Sequence, residues 1–351
     1  MTVPVVVALA ATLAFALVGP RLARLLPPAV ATRLLVPACL MMAASGVWVL
    51  VTINFTWVAQ LGPVSRYADW SAPAIREDTP FPGIVTIGCG LLAIGSMARA
   101  ARLLTRRLRH ARAIERTCAQ HGAAGSLVVL DTDRPDAFAT PGATGRIVVT
   151  TGLLRALSPA ERRALIAHEA SHLAHRHAWW LLAADVAAAA NPLLLPTASA
   201  IEHAAERWAD EDAAHEVTDR RLVARTLART ALLIRGAAAT GLTPAAGGNV
   251  PCRVRALLEP PPRPRVLPLT LVLALVLAGT VADATAERRD DQLLDRAGSV
   301  AAAHRGPAPH GDQPRRHWAA PRVPHLRSGP PRPGDPAGVP GWLGAVLTRV
   351  T

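Results

Sequence analysis

The 351-residue chain contains no lysine, one tyrosine, four phenylalanines and four cysteines. Each scarcity excludes something. So little aromatic surface leaves few platforms on which bases could stack. The cysteines (Cys39, Cys89, Cys118 and Cys252) are scattered, form no C-x-x-C pair, and two lie inside apolar blocks. Neither a disulfide framework nor a cysteine zinc site follows from that pattern. With lysine absent, arginine carries the whole basic load of a chain with formal net charge +13. Much of it lies beside apolar blocks and in the tail, which suits an anionic lipid surface better than a nucleic-acid groove. Nucleic acid is therefore not an expected partner.

What the chain has in quantity is apolar length. Hydrophobic residues make up 51% of it and the mean hydropathy is +0.26. They concentrate in uncharged blocks at residues 3–19, 34–57, 81–98 and 266–282. A bilayer core needs roughly 17 to 25 apolar residues, so all four qualify as spans. The first is read as a span rather than a signal peptide, because no basic residue precedes it and no small-residue cleavage site follows.

Arginine placement sets the orientation. Arg21, Arg24 and Arg33 follow the first span with no acid among them. Arg66 and Arg76, after the second, are offset by Asp69, Glu77 and Asp78. Seven arginines between 99 and 116 face Glu115 alone. The positive-inside rule then puts the first and third flanks in the cytoplasm. The expected organisation is three spans in 1–98, a cytoplasmic domain at 99–265, a fourth span at 266–282 and a Pro/Arg-rich tail at 283–351 of disordered-type composition. The amino terminus and the tail would lie outside.

Within the cytoplasmic segment, residues 127–130 and 146–151 are short β-branched runs separated by turn residues, which predicts a small antiparallel sheet. Ser158-Pro159-Ala160-Glu161 reads as a helix start, with Ser158 as cap, Pro159 in the first turn and Glu161 closing a capping box. That helix carries His168-Glu169-x-x-His172. Histidines four apart project from one face and can share a zinc ion, while Glu169 between them is placed to act as general base on its water. A third ligand must come from elsewhere. The metzincin position, six residues after His172, is Ala178, which excludes that class. A further helix is expected to start near Ser199, with Glu202 as its capping partner. It brings Glu206 and Asp210, one turn apart, as a ligand carboxylate and a carboxylate that orients a ligating histidine. Glu202, Glu211 and Glu216 are nearby substitutes for Glu206. Residues 178–201 are apolar but broken by Asp185, Asn191 and Pro192, which predicts a buried or re-entrant hairpin, with Trp179 and Trp180 at the membrane interface.

These residues resemble those of the membrane gluzincin peptidases. H-E-x-x-H followed by Glu206-x-x-Ala209-Asp210 is accompanied by the flanking runs Asp136 to Gly142 and Ile147 to Leu154, and by His177 five residues after the second histidine. Two sister families fit. One contains the CAAX-prenyl endopeptidase and bacterial membrane stress proteases. The other contains the zinc domain of the BlaR/MecR β-lactam signal transducers, and a short form of it lacking the sensor domain is the nearer resemblance. The resemblance implies a mainly α, polytopic membrane fold around a gluzincin-type zinc peptidase domain. It also implies one zinc ion held by His168, His172 and Glu206, Glu169 as the proton shuttle, Asp210 behind a histidine, and a donor to the transition-state oxyanion. His177, His203 and His215 are open candidates for that donor.

The function expected is an integral-membrane zinc endopeptidase cutting a protein at the cytoplasmic face of the cell membrane. Its implied partners are that protein, in a regulatory version a transcriptional repressor, and membrane lipids. The alternative is a catalytically silent signalling or scaffold protein with a retained zinc site. Orientation has a direct check: a reporter fused at Gly122 should read as cytoplasmic.

Overall fold

The computed structural model describes residues 2–305, apart from 69, 79–80, 121–126, 141–144, 239–249 and 261–265. The tail at 306–351 and Gly122 lie outside the described residues. The order is α1 (Thr2–Leu25), α2 (Pro28–Val58), two short helices α3 (Gly62–Tyr67) and α4 (Ala72–Asp78), then α5 (Gly83–Gln120). Three strands follow, β1 (Leu127–Leu130), β2 (Ala137–Ala139) and β3 (Ile147–Thr150). The remainder is helical: α6 (Thr151–Ala156), α7 (Pro159–Ala174), α8 (His177–Ala190), α9 (Leu195–Val217), α10 (Arg220–Ala238), α11 (Val250–Leu258) and α12 (Val266–Arg305).

Four of these helices are long and apolar enough to cross a membrane, over Val5–Leu25, Pro28–Val58, Gly83–Arg116 and Leu269–Ala303. They overlie the four blocks seen in the sequence. Two boundaries move. The arginine-rich stretch after 98 is not a separate element but the continuation of α5 to Gln120. Arginine, alanine and leucine are good helix formers, and no proline or glycine interrupts residues 98–120. The fourth helix likewise does not end at 282. It runs to Arg305, which corrects the start of the tail expected at 283. Residues 283–305 are again rich in helix formers, Ala286 and Ala297 are buried, and the next proline is Pro307.

The sheet is mixed, not antiparallel. Its order is β1-β3-β2, with β1 parallel to β3 and β2 antiparallel to it. The sequence showed two runs. The third strand, Ala137–Ala139, reverses the chain between them, so β3 returns in the direction of β1. Central β3 is buried throughout, and β2 is the edge strand packed beside α7.

The largest buried cluster joins Phe15, Leu35, Met42 and Val272 of the spanning helices to Ala184, Leu194 and Ile201. The α8–α9 pair is therefore packed against α1, α2 and α5, as a helical hairpin. Gly19 permits the closest approach: a Cβ there would sit 2.5 Å from Thr197 Oγ1. The second helix of the hairpin does not start at Ser199. It begins at Leu195, with Pro196 in its first turn and Asn191 Oδ1 accepting from Leu193 N just before it. Ser199 is interior, and Glu202 is exposed and caps nothing.

The start of α7 follows its sequence. Ser158 Oγ accepts from Glu161 N, and the Glu161 carboxylate accepts from Ser158 N at 2.8 Å. Arg229 of α10 donates to the same carboxylate at 3.0 Å. Replacing Ser158 with Ala should lower stability by about 1 kcal/mol, measurable as a drop in thermal midpoint of the detergent-solubilised chain.

Candidate metal centre

The α7 helix lies against α9, and this contact brings the polar groups together. His168 and His172 project from one face of α7 with their Nε2 atoms 3.2 Å apart. Glu206 reaches them from α9, with Oε2 at 3.6 Å from His168 Nε2 and Oε1 at 3.6 Å from His172 Nε2. The ligand atoms of the three all lie within 4.8 Å of one another. In a tetrahedral site with bonds of about 2.0–2.1 Å, neighbouring ligand atoms are roughly 3.3–3.4 Å apart. The separations here have that size, so the donor set fits a zinc ion. Of the carboxylates offered by the sequence, only Glu206 meets both rings. Glu211 is paired with Arg220, and Glu202 and Glu216 are exposed.

The tautomers support the same reading. His168 Nδ1 lies 3.1 Å from Asp210 Oδ1 and donates to it. His172 Nδ1 lies 2.9 Å from His177 Nδ1. A His172 that offers Nε2 to a cation carries its proton on Nδ1 and donates it to His177 Nδ1. The proton of His177 then sits on Nε2, which is buried without a hydrogen-bond partner. Once His168 gives up its Nε2 proton, both Nε2 atoms that face Glu206 present lone pairs to a cation.

Charges in the cluster follow from burial and pairing. Burial opposes the charged form of His168, but hydrogen bonds to Asp210 and Glu206 outweigh it and raise its pKa to about 10. A divalent cation at this ring therefore competes with a proton. His172 is pushed down to about 4, first by burial and then by the charge of His168. Burial also lowers His177, to about 3. Glu206 is held well below the usual carboxylate range: burial opposes, but its bond to His168 and the nearby Arg253 prevail. Glu169, only 8% exposed, moves the other way because burial dominates. Its carboxylate also accepts from the backbone of Ala139 on β2.

His177 is not where an oxyanion donor would stand. It is fully buried and lies behind the His172 ring. Arg176 adopts a left-handed conformation (φ 53°), which turns the chain sharply from α7 into α8 and folds His177 back beneath α7. Its contact is with the His172 ring, not with the cavity. His203 does line the cavity, whereas His215 is exposed near the end of α9.

Sequence reasoning missed two groups. Arg253 of α11 donates to Asp210 with Nε at 2.8 Å and Nη2 at 2.6 Å, and its Nη1 lies 2.7 Å from Glu206 Oε2. It was one arginine among 38 basic residues, with no spacing to mark it. Asp212 accepts from Ser171 Oγ at 2.6 Å and lies 2.8 Å from His175 Nε2, fastening the same pair of helices on another face. The cavity lined by His168, Glu169, Glu206 and Asp210 has a volume of about 420 Å³. Leu165, Val223, Leu227, Ile234 and Val250 give it an apolar wall.

Comparison with known proteins places this segment. Residues 105–211 match peptidase family M48. The match contains His168, Glu169, His172, Glu206 and Asp210, and stops before Arg253. A protease HtpX homologue of Thermoplasma acidophilum is 51% identical over 57 residues, 16% of this chain and 18% of that one. A protease HtpX homologue of Acidiphilium cryptum is 54% identical over 54 residues, covering 14% and 17%. The matched stretch thus spans less than a fifth of these curated relatives. No solved structure matches the chain. The resemblance to membrane zinc metallopeptidases is supported, on the M48 side. These relatives are named as proteases, not as β-lactam signal transducers.

Removing a group behind a metal ligand typically costs 10–100-fold in affinity. Asp210→Ala and His177→Ala should each weaken zinc retention by about that factor, read by competition with a chromophoric chelator.

Proposed function

We propose that the chain is an integral-membrane zinc endopeptidase, with His168, His172 and Glu206 holding one Zn2+ and Glu169 acting as general base. The observation that carries this is the closeness of the three side chains, with the histidine Nε2 atoms 3.2 Å apart and a Glu206 oxygen 3.6 Å from each, beside a buried Glu169 carboxylate on the histidines' own helix. The ion supplies Lewis-acid polarisation of the scissile carbonyl and lowers the pKa of an attacking water. Glu169 takes the proton of that water and hands it to the leaving amine; burial, by raising its proton affinity, suits it to the exchange. Asp210 fixes the tautomer of His168, and His177 fixes that of His172. His203, at the cavity wall, is placed to donate to the developing oxyanion. The edge strand β2 contacts the base through Ala139, so an extended peptide added to that edge is delivered to Glu169. The apolar wall fits a large aliphatic or aromatic side chain next to the cleaved bond.

The arginine distribution supports a catalytic face on the cytoplasmic side, with the amino terminus outside. A regulatory role, and a transcriptional repressor as substrate, rest on the transducer resemblance alone. The scaffold alternative would want a closed site of four protein ligands, often with cysteine. Among the described residues the cluster offers three ligands and no cysteine.

Glu169→Gln should keep zinc at wild-type stoichiometry and lower casein hydrolysis by about 10²–10⁴-fold. Undiminished hydrolysis would refute the assignment. Comparing membrane proteomes of the two forms would then identify the substrate.

A further inference from the structure

On the far side of His203 from the metal centre lies a second cavity of about 660 Å³. That is within the ~300–1,000 Å³ range of small-ligand sites. The two cavities share His203 in their walls. The second is lined by Arg24 at the end of α1, Arg207 of α9 and Arg255 of α11, against a single acid, Glu259. Three arginines nearby on α10 and α11, Arg253, Arg220 and Arg229, each hold a carboxylate. Arg24, Arg207 and Arg255 form no ion pair among the described residues. Arg207 Nε is in addition buried with no hydrogen-bond partner. Arg24 Nε donates to Pro20 O, and Arg24 and Arg255 are exposed, but none of the three guanidinium groups is offset by a carboxylate; a buried N–H without an acceptor is costly, and three such positive charges around one cavity suit a ligand rich in anionic oxygens.

Position selects the ligand. One wall is the last turn of a helix whose apolar span is Val5–Leu25. Were α1 to cross a bilayer over that span, the cavity would lie where hydrocarbon gives way to lipid phosphates. We propose that it binds the phosphate of an anionic phospholipid headgroup. Arginine meets phosphate oxygens as a planar fork, which suits the three side chains present.

The placement also ties the headgroup to the metal centre. Arg207 follows the ligand Glu206, and Arg255 lies two residues beyond Arg253, which holds Glu206 and Asp210. A headgroup drawn between α9 and α11 pulls on both helices that position the third ligand. Activity should accordingly depend on lipid composition. This second consequence rests on the peptidase reading; lipid binding itself does not.

The test uses the full-length chain in mixed micelles of phosphatidylglycerol and phosphatidylcholine, with retained lipid counted by native mass spectrometry. Wild type and Glu169→Gln should both retain phosphatidylglycerol in preference, and excess inorganic phosphate should not displace it. Arg207→Gln/Arg255→Gln should lower retention about tenfold or more, with Arg207→Lys/Arg255→Lys recovering part of it. The single variant Arg255→Gln, at an exposed position, should show a smaller loss and guards against misfolding of the double variant. Casein hydrolysis in vesicles should rise with phosphatidylglycerol content for wild type and not for the double variant. Equal retention by wild type and variant overturns the proposal. So does displacement by inorganic phosphate, which would mark a site for a soluble phosphate compound. A variant that loses only cleavage of acidic peptides, with lipid retention intact, would make the cavity a substrate subsite and overturn it too. Absent hydrolysis with intact lipid preference would instead sink the peptidase reading and leave the lipid site standing.

Discussion

Two imidazole nitrogens 3.2 Å apart, each ring with its other nitrogen within hydrogen-bond distance of a partner, must share a proton or a metal cation. The raised proton affinity of His168 and the Glu206 carboxylate on the open side express the same demand for positive charge. The rest of the domain is arranged to impose this contact. Helix α7 fixes the spacing of the rings, α9 supplies Glu206 and Asp210, and the α7–α9 packing holds both sets in register. The Ser171–Asp212 bond and the His175–Asp212 contact fasten that packing away from the ligand atoms.

Burying so much charge is tolerable because Asp210, Glu206 and Arg253 are matched to one another and to His168. Asp210 is 2% exposed, yet it receives two hydrogen bonds from Arg253 and one from His168. Breaking a buried pair leaves one charge uncompensated, at a cost of roughly 3–5 kcal/mol. The network therefore fixes where α11 lies as much as it tunes the ligands. It also explains the opposite behaviour of the two glutamates. Glu206 is surrounded by cations and kept ionised, whereas Glu169 meets mainly desolvation and is given a higher proton affinity.

The membrane-length helices are part of the same construction. His175 stacks on Trp208 at 4.2 Å, and Arg33 of α2 sits 4.5 Å over that ring. Leu194 and Ile201 bury the start of α9 among α1 and α2. The helix that supplies the third ligand is thus rooted in the spans and not merely tethered to them. That rooting places His168, His172 and Glu206 close to the membrane-length helices.

Much of this was legible in the sequence because it is local. The capping box at Ser158 and Glu161, the four-residue spacing of the histidines, the one-turn spacing of Glu206 and Asp210 and the four apolar blocks depend on neighbours within a turn or a span. Helix ends were harder. Nothing but tertiary burial and the absence of a breaker carries α12 to Arg305, and a proline at 196 moved the start of α9 away from a plausible cap at Ser199. What only the tertiary structure decided is which distant groups meet. Arg253 reaches Asp210 across 43 residues, His177 is folded behind His172 by a left-handed Arg176, and a strand at 137–139 turns an expected antiparallel pair into a mixed sheet. Periodicity encodes which face of an element is buried, but not which other element will cover it. That choice is made by packing and charge matching among groups that have no relation along the chain.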